Sequence, residues 1–143
     1  MTNAEFKKIL ATNLTERGFV KNSNNFYYRS DETTIVINTQ KSNNDNSFYI
    51  NYGFFVNSIH QECKYPTILE TDVRGRFRCE SFGNIKDRYL LDQINAECLN
   101  DSINNNLSKV IFPTVNKGIR EYFEIFPSAI NTATITLKQY LEI

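Results

Sequence analysis

The chain has 143 residues, the size of one domain, and 41% of them are hydrophobic, which is globular rather than disordered material. Its 16 basic and 16 acidic residues cancel, so global charge supplies no long-range pull toward nucleic acid or an anionic membrane. No apolar run approaches the roughly 20 residues that span a bilayer, and the N-terminal MTNAEFKKILATNL lacks the continuous apolar core of a signal peptide.

Thr2-Asn3-Ala4-Glu5 fits a capping box, a hydroxyl at the N-cap with a carboxylate three residues on. Phe6, Ile9, Leu10 and Leu14 then recur at helical spacing until Gly18, which predicts an amphipathic helix over residues 3–17. Beyond an Asn-rich turn, Asn22–Asn25, the run Phe26–Arg29 reads as a short strand paired with Thr33–Gln40. Thr33–Gln40 and Phe48–Asn57 are two extended runs joined by the polar loop Lys41–Ser47. In the second run Phe48, Ile50, Tyr52, Phe54 and Val56 share one side of the pleat, and Ile35 and Ile37 supply the matching row in the first.

Ser58–Thr71 has no clean period, and Pro66 argues against a central strand, so a crossing loop with room for one helical turn is expected. Val73–Phe82 alternates again, Gly83-Asn84 is a two-residue hairpin signal, and Ile85–Leu91 would be the returning strand. After that the period changes. Leu99, Ile103, Leu107, Val110 and Ile111 lie on one helical face, with Asn100 or Asp101 as N-cap and Pro113 ending or kinking the helix. Val115, Ile119, Tyr122, Phe123 and Phe126 carry a second stripe up to Pro127. Thr132–Ile143 reads either as a Thr- and Ile-rich strand or as a helix with Ile135, Leu137, Tyr140 and Leu141 on one face; helix is the preferred reading. The fold class is α+β: an antiparallel meander sheet of about five strands, covered on one face by the N-terminal and C-terminal helices, in one domain over residues 1–143.

No motif for catalysis or a cofactor stands out. Cys63, Cys79 and Cys98 are odd in number and irregularly spaced, unlike a disulfide framework, which points to a reduced, cytoplasmic location. His60 and Cys63 form the one closely spaced pair of soft ligands, too few for a zinc site and without the separated base and orienting group of a cysteine nucleophile. The five glycines are scattered rather than clustered as a phosphate loop requires. No cofactor or metal is therefore expected, and the chain does not read as an enzyme.

The sharpest local feature is the row Arg74, Arg76 and Arg78, which strand spacing places on one face, joined by Lys86 and Arg88 if the hairpin is symmetric about Gly83-Asn84. Guanidinium forks in such a row suit an acidic partner or a phosphate backbone. The bland alternative is a solvated face with cross-strand ion pairs to Asp72, Glu80 and Asp87. Tyr27, Tyr28, Tyr49 and Phe55 could form an aromatic outer face of the kind that stacks bases, though no motif of glycine and aromatics accompanies them. For a basic partner the binding face would lie instead on acidic positions such as Asp31 and Glu32.

The helix ending in Arg17-Gly18-Phe19, the strand leading to Ile37-Asn38-Thr39-Gln40-Lys41-Ser42, and Phe48-Tyr49-Ile50-Asn51-Tyr52-Gly53 together resemble a bacterial family described as domain of unknown function 4304. Arg76-Phe77 before a Gly-Asn turn and the Ile111-Phe112-Pro113 junction fit the same family. The resemblance implies no catalytic residues, since the family has none assigned. Small, motif-poor α+β domains of this kind are similar to immunity proteins of bacterial toxin systems, an argument by class. The expected role is a cytoplasmic protein-binding domain, an immunity protein that binds a toxin. The alternative is a nucleic-acid or small-ligand binder using the Arg74, Arg76 and Arg78 face.

Overall fold

A computed structural model of the protein describes residues 1–81 and 83–142. Five strands lie side by side in chain order, each antiparallel to the next: β1 (Val20–Asn22), β2 (Asn25–Arg29), β3 (Thr33–Lys41), β4 (Ser47–Val56) and β5 (Val73–Arg76). The α+β meander is present as expected. In the β3–β4 hairpin Ile35 stands opposite Phe54 and Ile37 opposite Tyr52. These residues, with Phe48, Ile50 and Val56, are buried in one hydrophobic cluster that extends from Phe6 to Leu141.

The edge beyond β4 differs from the expected one. The chain leaves the sheet after Phe77, forms a separate two-stranded ribbon of β6 (Cys79–Ser81) and β7 (Asn84–Lys86), and returns as β8 (Tyr89–Leu90). Strand β8 pairs with the start of β4, Tyr89 opposite Phe48, while β5 pairs with its later part, Arg76 opposite Asn51. The expected returning strand Ile85–Leu91 thus does not extend the meander; β5 and β8 form one edge strand interrupted by a hairpin. The hairpin register is also two residues from the expected one, with Ser81 opposite Asn84 rather than Lys86 and Cys79 opposite Lys86 rather than Arg88. Phe82, the outer end of the expected strand, lies outside the described residues.

Helix α1 (Asn3–Glu16) opens on Thr2, whose Oγ1 accepts from the Glu5 N–H at 3.1 Å. Its Phe6 ring stacks on Phe48 with centroids 4.8 Å apart. Helix α2 (Ala96–Asn106) begins earlier than expected: Asn95, rather than Asn100 or Asp101, is the cap, accepting from the Cys98 N–H at 2.8 Å. Asn100 is instead part of an amide ladder between the two helices. Asn13 Nδ2 donates to Asn100 Oδ1, and Asn104 Nδ2 donates to Asn13 Oδ1 at 3.1 Å.

Pro113 does not end the helix. A π-helical stretch, Leu107–Ile111, leads into α3 (Phe112–Lys117), and the Phe112 N–H reaches back five residues to the Leu107 carbonyl. Proline has no N–H for the carbonyl four residues back, and the wider turn carries the chain past it. Gly118, at φ +103°, makes the actual break, a conformation that side chains disfavour. Helix α4 (Arg120–Ile125), a 3-10 segment (Pro127–Thr132) and α5 (Ile135–Tyr140) follow, with Leu137 and Leu141 buried. The helical reading of the C-terminal stretch holds; its last residue, Ile143, lies outside the described residues.

The other face of the sheet is covered by the crossing segment, which holds two 3-10 turns, Asn57–Ile59 and Ile68–Glu70. Tyr27 donates its hydroxyl to the Pro66 carbonyl at 2.9 Å, and Tyr27, Val36 and Phe55 are buried beneath. Asp72 closes this arrangement from inside. Its carboxylate accepts from the Val56 N–H at 2.8 Å and the Thr134 hydroxyl at 3.0 Å, and lies 2.8 Å from His60 Nε2. One buried side chain thereby ties β4, the crossing segment and the start of α5 together. Replacing it by Asn leaves an amide N–H₂ facing donors, and each donor left unpaired costs roughly 1–3 kcal/mol. Asp72→Asn should therefore lower the urea midpoint clearly with the slope unchanged, whereas Thr134→Ala should lower it by less; equal midpoints for Asp72→Asn and the parent protein would refute the role given to this carboxylate.

Candidate functional site

Strand β5 is the outer strand of the sheet along its length, and its free edge borders a groove of about 620 Å³. Register decides which way its side chains point. Arg74 stands opposite Gly53 and Arg76 opposite Asn51, both on the crossing-segment face, while Gly75 stands opposite Tyr52 on the helical face. The expected row of three arginines on one face is therefore broken at its third member. Asn106 of α2 accepts from the Arg78 N–H and donates to the Arg78 carbonyl, both at 2.9 Å, with Ser102 Oγ adding a 3.2 Å bond to the same carbonyl. That side-chain amide satisfies the peptide groups a neighbouring strand would take, so the chain turns off the sheet here. The Arg78 guanidinium comes to lie 4.8 Å from the Phe126 ring centroid, beside the helical wall of the groove.

The remaining basic residues divide by how they are occupied. Arg76 is held three ways: Nε donates to Asn51 Oδ1 at 3.1 Å, Nη1 pairs with Asp87 at 3.2 Å, and the guanidinium stacks 3.9 Å from the Tyr49 centroid. Arg88 pairs with Asp45 at 3.0 Å. Lys86 stands opposite Cys79 in the ribbon, and with Arg78 and Arg88 it lines a second cavity beside Tyr49. Arg74 is exposed, and among the described residues it makes no side-chain hydrogen bond or ion pair.

The groove floor is a pair of tyrosines that sequence spacing does not connect. Tyr52 Oη and Tyr122 Oη share a hydrogen bond of 2.8 Å, and whichever donates, the other keeps its proton for a further acceptor. Both hydroxyls rise to the strand because Gly75 has no side chain; a β-carbon there would collide with them. Phe126 and Ala129 wall the groove on the helical side, and Leu69, 76% exposed, stands on the other. Tyr52 and Phe126 were legible only as members of apolar stripes. What could have marked them is Gly75, a glycine at an inward position of a strand, which signals close approach by something else.

The other candidates lie apart. Asp31 is exposed at the β2–β3 turn. Glu32 is committed within the fold, accepting from the Ile119 N–H at 2.6 Å and the Tyr140 hydroxyl at 2.9 Å. The His60 ring stacks on Phe55 at 4.3 Å and faces Asp72 rather than Cys63. The three cysteines are free, and among the described residues no three His, Cys, Asp or Glu side chains gather as a metal would require. Also among the described residues, no helix is long and apolar enough to cross a membrane.

Fold and groove together define an α+β domain whose antiparallel sheet has one short, basic, open edge. The chain belongs to the family described as domain of unknown function (DUF4304), whose model matches residues 10–117. The match spans α1 from Leu10 onward, the whole sheet and the helices through α3. No curated protein and no solved structure matches the chain.

Burial raises the pKa of Tyr52 and of Tyr122 above the ordinary 10.0, the Tyr52–Tyr122 pairing adding to the rise at Tyr52 and Arg78 opposing it at both. Burial likewise raises Tyr89. A folded-state pKa above the unfolded value means the folded chain holds protons that the unfolded chain has released. This stabilisation is complete below pH 10 and is lost as pH rises through the folded values. In an alkaline titration the buried phenols should therefore give tyrosinate absorbance only with unfolding, after the exposed tyrosines. Gly75→Ala should remove part of that delay by parting the pair. A titration of the parent protein in which all tyrosines ionise together, before the fold is lost, would contradict the buried pairing.

Proposed function

We propose that the protein is a binding domain for another protein, in its most concrete form a cytoplasmic immunity protein that binds and neutralises a toxin, and that it grips an acidic partner surface with Arg74 and Arg78. The observation that carries this reading is the division of labour among the arginines. Arg76 and Arg88 are spent on internal partners, while Arg74 stands free at the lip of the groove and Arg78 is braced on Phe126. A merely solvated face would be expected to pair such charges with neighbouring carboxylates, as Arg76 does with Asp87. An acidic face for a basic partner has less support, because Glu32 already serves the fold. Catalysis also has less support than binding: the single histidine is held against Asp72 and Phe55.

The nucleic-acid alternative uses the same arginines but predicts a different salt dependence, since each neutralised phosphate releases counterions. The test is complex formation with a candidate toxin, parent protein against Arg74→Glu. Arg74 is the clean position, because reversing Arg76 would break its own contacts to Asp87, Asn51 and Tyr49. Arg74→Glu should leave the unfolding free energy within ~0.5 kcal/mol of the parent while slowing association on the order of tenfold, an effect that shrinks as salt rises. Salt-steep binding to RNA or DNA, lost in the same variant and with no protein complex formed, would replace the protein-binding reading.

A further inference from the structure

From the free edge of β5 we infer that the partner contributes an extended segment of alternating acidic and apolar residues, which adds to the sheet as a strand. This deepens the protein-binding reading and rests on it. The peptide groups are the starting point. The Phe77 N–H donates to the Ile50 carbonyl at 2.9 Å, and Gly75 stands opposite Tyr52, so the odd-numbered residues turn their N–H and C=O toward β4. Alternation in an antiparallel ladder then turns the N–H and C=O of Arg74 and Arg76 outward into the groove, where no other described group takes them. An unpaired edge of this kind is a template for another strand.

The groove also states what that strand must carry. A residue paired with Arg74 through these outward groups has its side chain on the same face as Arg74, beside a free guanidinium and in reach of Leu69. Its neighbours in sequence point to the opposite face, toward Tyr122, Phe126 and Ala129. Acidic residues at the first set and apolar residues at the second satisfy both walls. The occupant is not the β5 edge of a second copy of this chain. Two β5 edges paired antiparallel would set Arg74 and Arg76 directly against their counterparts, like charge opposite like.

The experiment uses a blocked peptide of alternating Glu and Val, titrated into the isotopically labelled protein and followed by amide NMR. In the proposed register the Glu N–H groups pair with β5 and the Val N–H groups face solvent. The unmodified peptide should give saturable shifts at Arg74, Gly75 and Arg76. Methylating the Glu amide nitrogens should weaken binding on the order of tenfold or more, since each net hydrogen bond contributes about 1 kcal/mol. Methylating the Val amides should weaken it far less, and replacing Glu by Gln should weaken it strongly. Equal binding by the two methylated peptides, or no saturable shift at these residues, overturns strand addition. If a toxin complex forms and is sensitive to Arg74→Glu while the two methylated peptides bind alike, strand addition fails and the acidic-partner reading stands. If neither the complex nor the peptide depends on Arg74, both fail.

Discussion

Strand β4 is the element on which the rest of the structure leans, because it is packed from both faces. On the helical face Phe48, Ile50, Tyr52, Phe54 and Val56 meet the helices; on the other, Gly53 and Phe55 lie beneath the crossing segment. Gly53 shows how close that second layer comes, since a β-carbon there would run into the Thr71 side chain. With β3 on one flank and β5 and β8 in tandem on the other, only Tyr49 and Asn51 of the strand are part-exposed. A central strand in that position must be apolar on both faces over much of its length, and FYINYGFFV is.

Burying so much of β4 obliges the surrounding segments to bring their own polar partners inside, and a few side chains supply them. Asp72 serves Val56 and Thr134, Asn106 serves the peptide groups of Arg78, and Glu32 serves Ile119 and Tyr140. Each joins elements far apart in sequence, and each replaces a backbone partner that the sheet or a helix end cannot offer. The abundant asparagines take on a structural meaning in this light. Asn13, Asn100 and Asn104 knit two helices together, and Asn106 decides where the edge strand stops.

That stopping point shapes the groove. Because Asn106 captures Arg78, β5 is short, and the interrupted edge leaves Gly75 over the Tyr52–Tyr122 pair with arginines to either side of it. A short edge bearing positive charge also protects the protein against pairing with itself. In the proposed reading, attraction for an acidic strand comes from the same residues that guard the edge against a like-charged one.

The sequence by itself determined what depends on local period and local sterics. Period-two rows marked β3 and β4, helical spacing with the Thr2 cap marked α1, and the motifs around Gly18, Gln40 and Phe48 carried the family. The last dozen residues read as strand or helix, and only Leu137 and Leu141 of the expected face Ile135, Leu137, Tyr140 and Leu141 are buried. Tertiary structure decided whatever depended on a partner distant in the chain. The Arg74–Arg76–Arg78 row looked continuous because alternation continues through Phe77, yet Asn106, 28 residues away, turns the third arginine aside. Pro113 looked like an end or a kink because its missing N–H is a local fact, whereas the π-turn that absorbs it lies where Leu107 and Ile111 are buried. The tyrosine floor of the groove joins positions 52 and 122, and no spacing rule reaches across 70 residues; only the packing of α4 on β4 brings the two hydroxyls together.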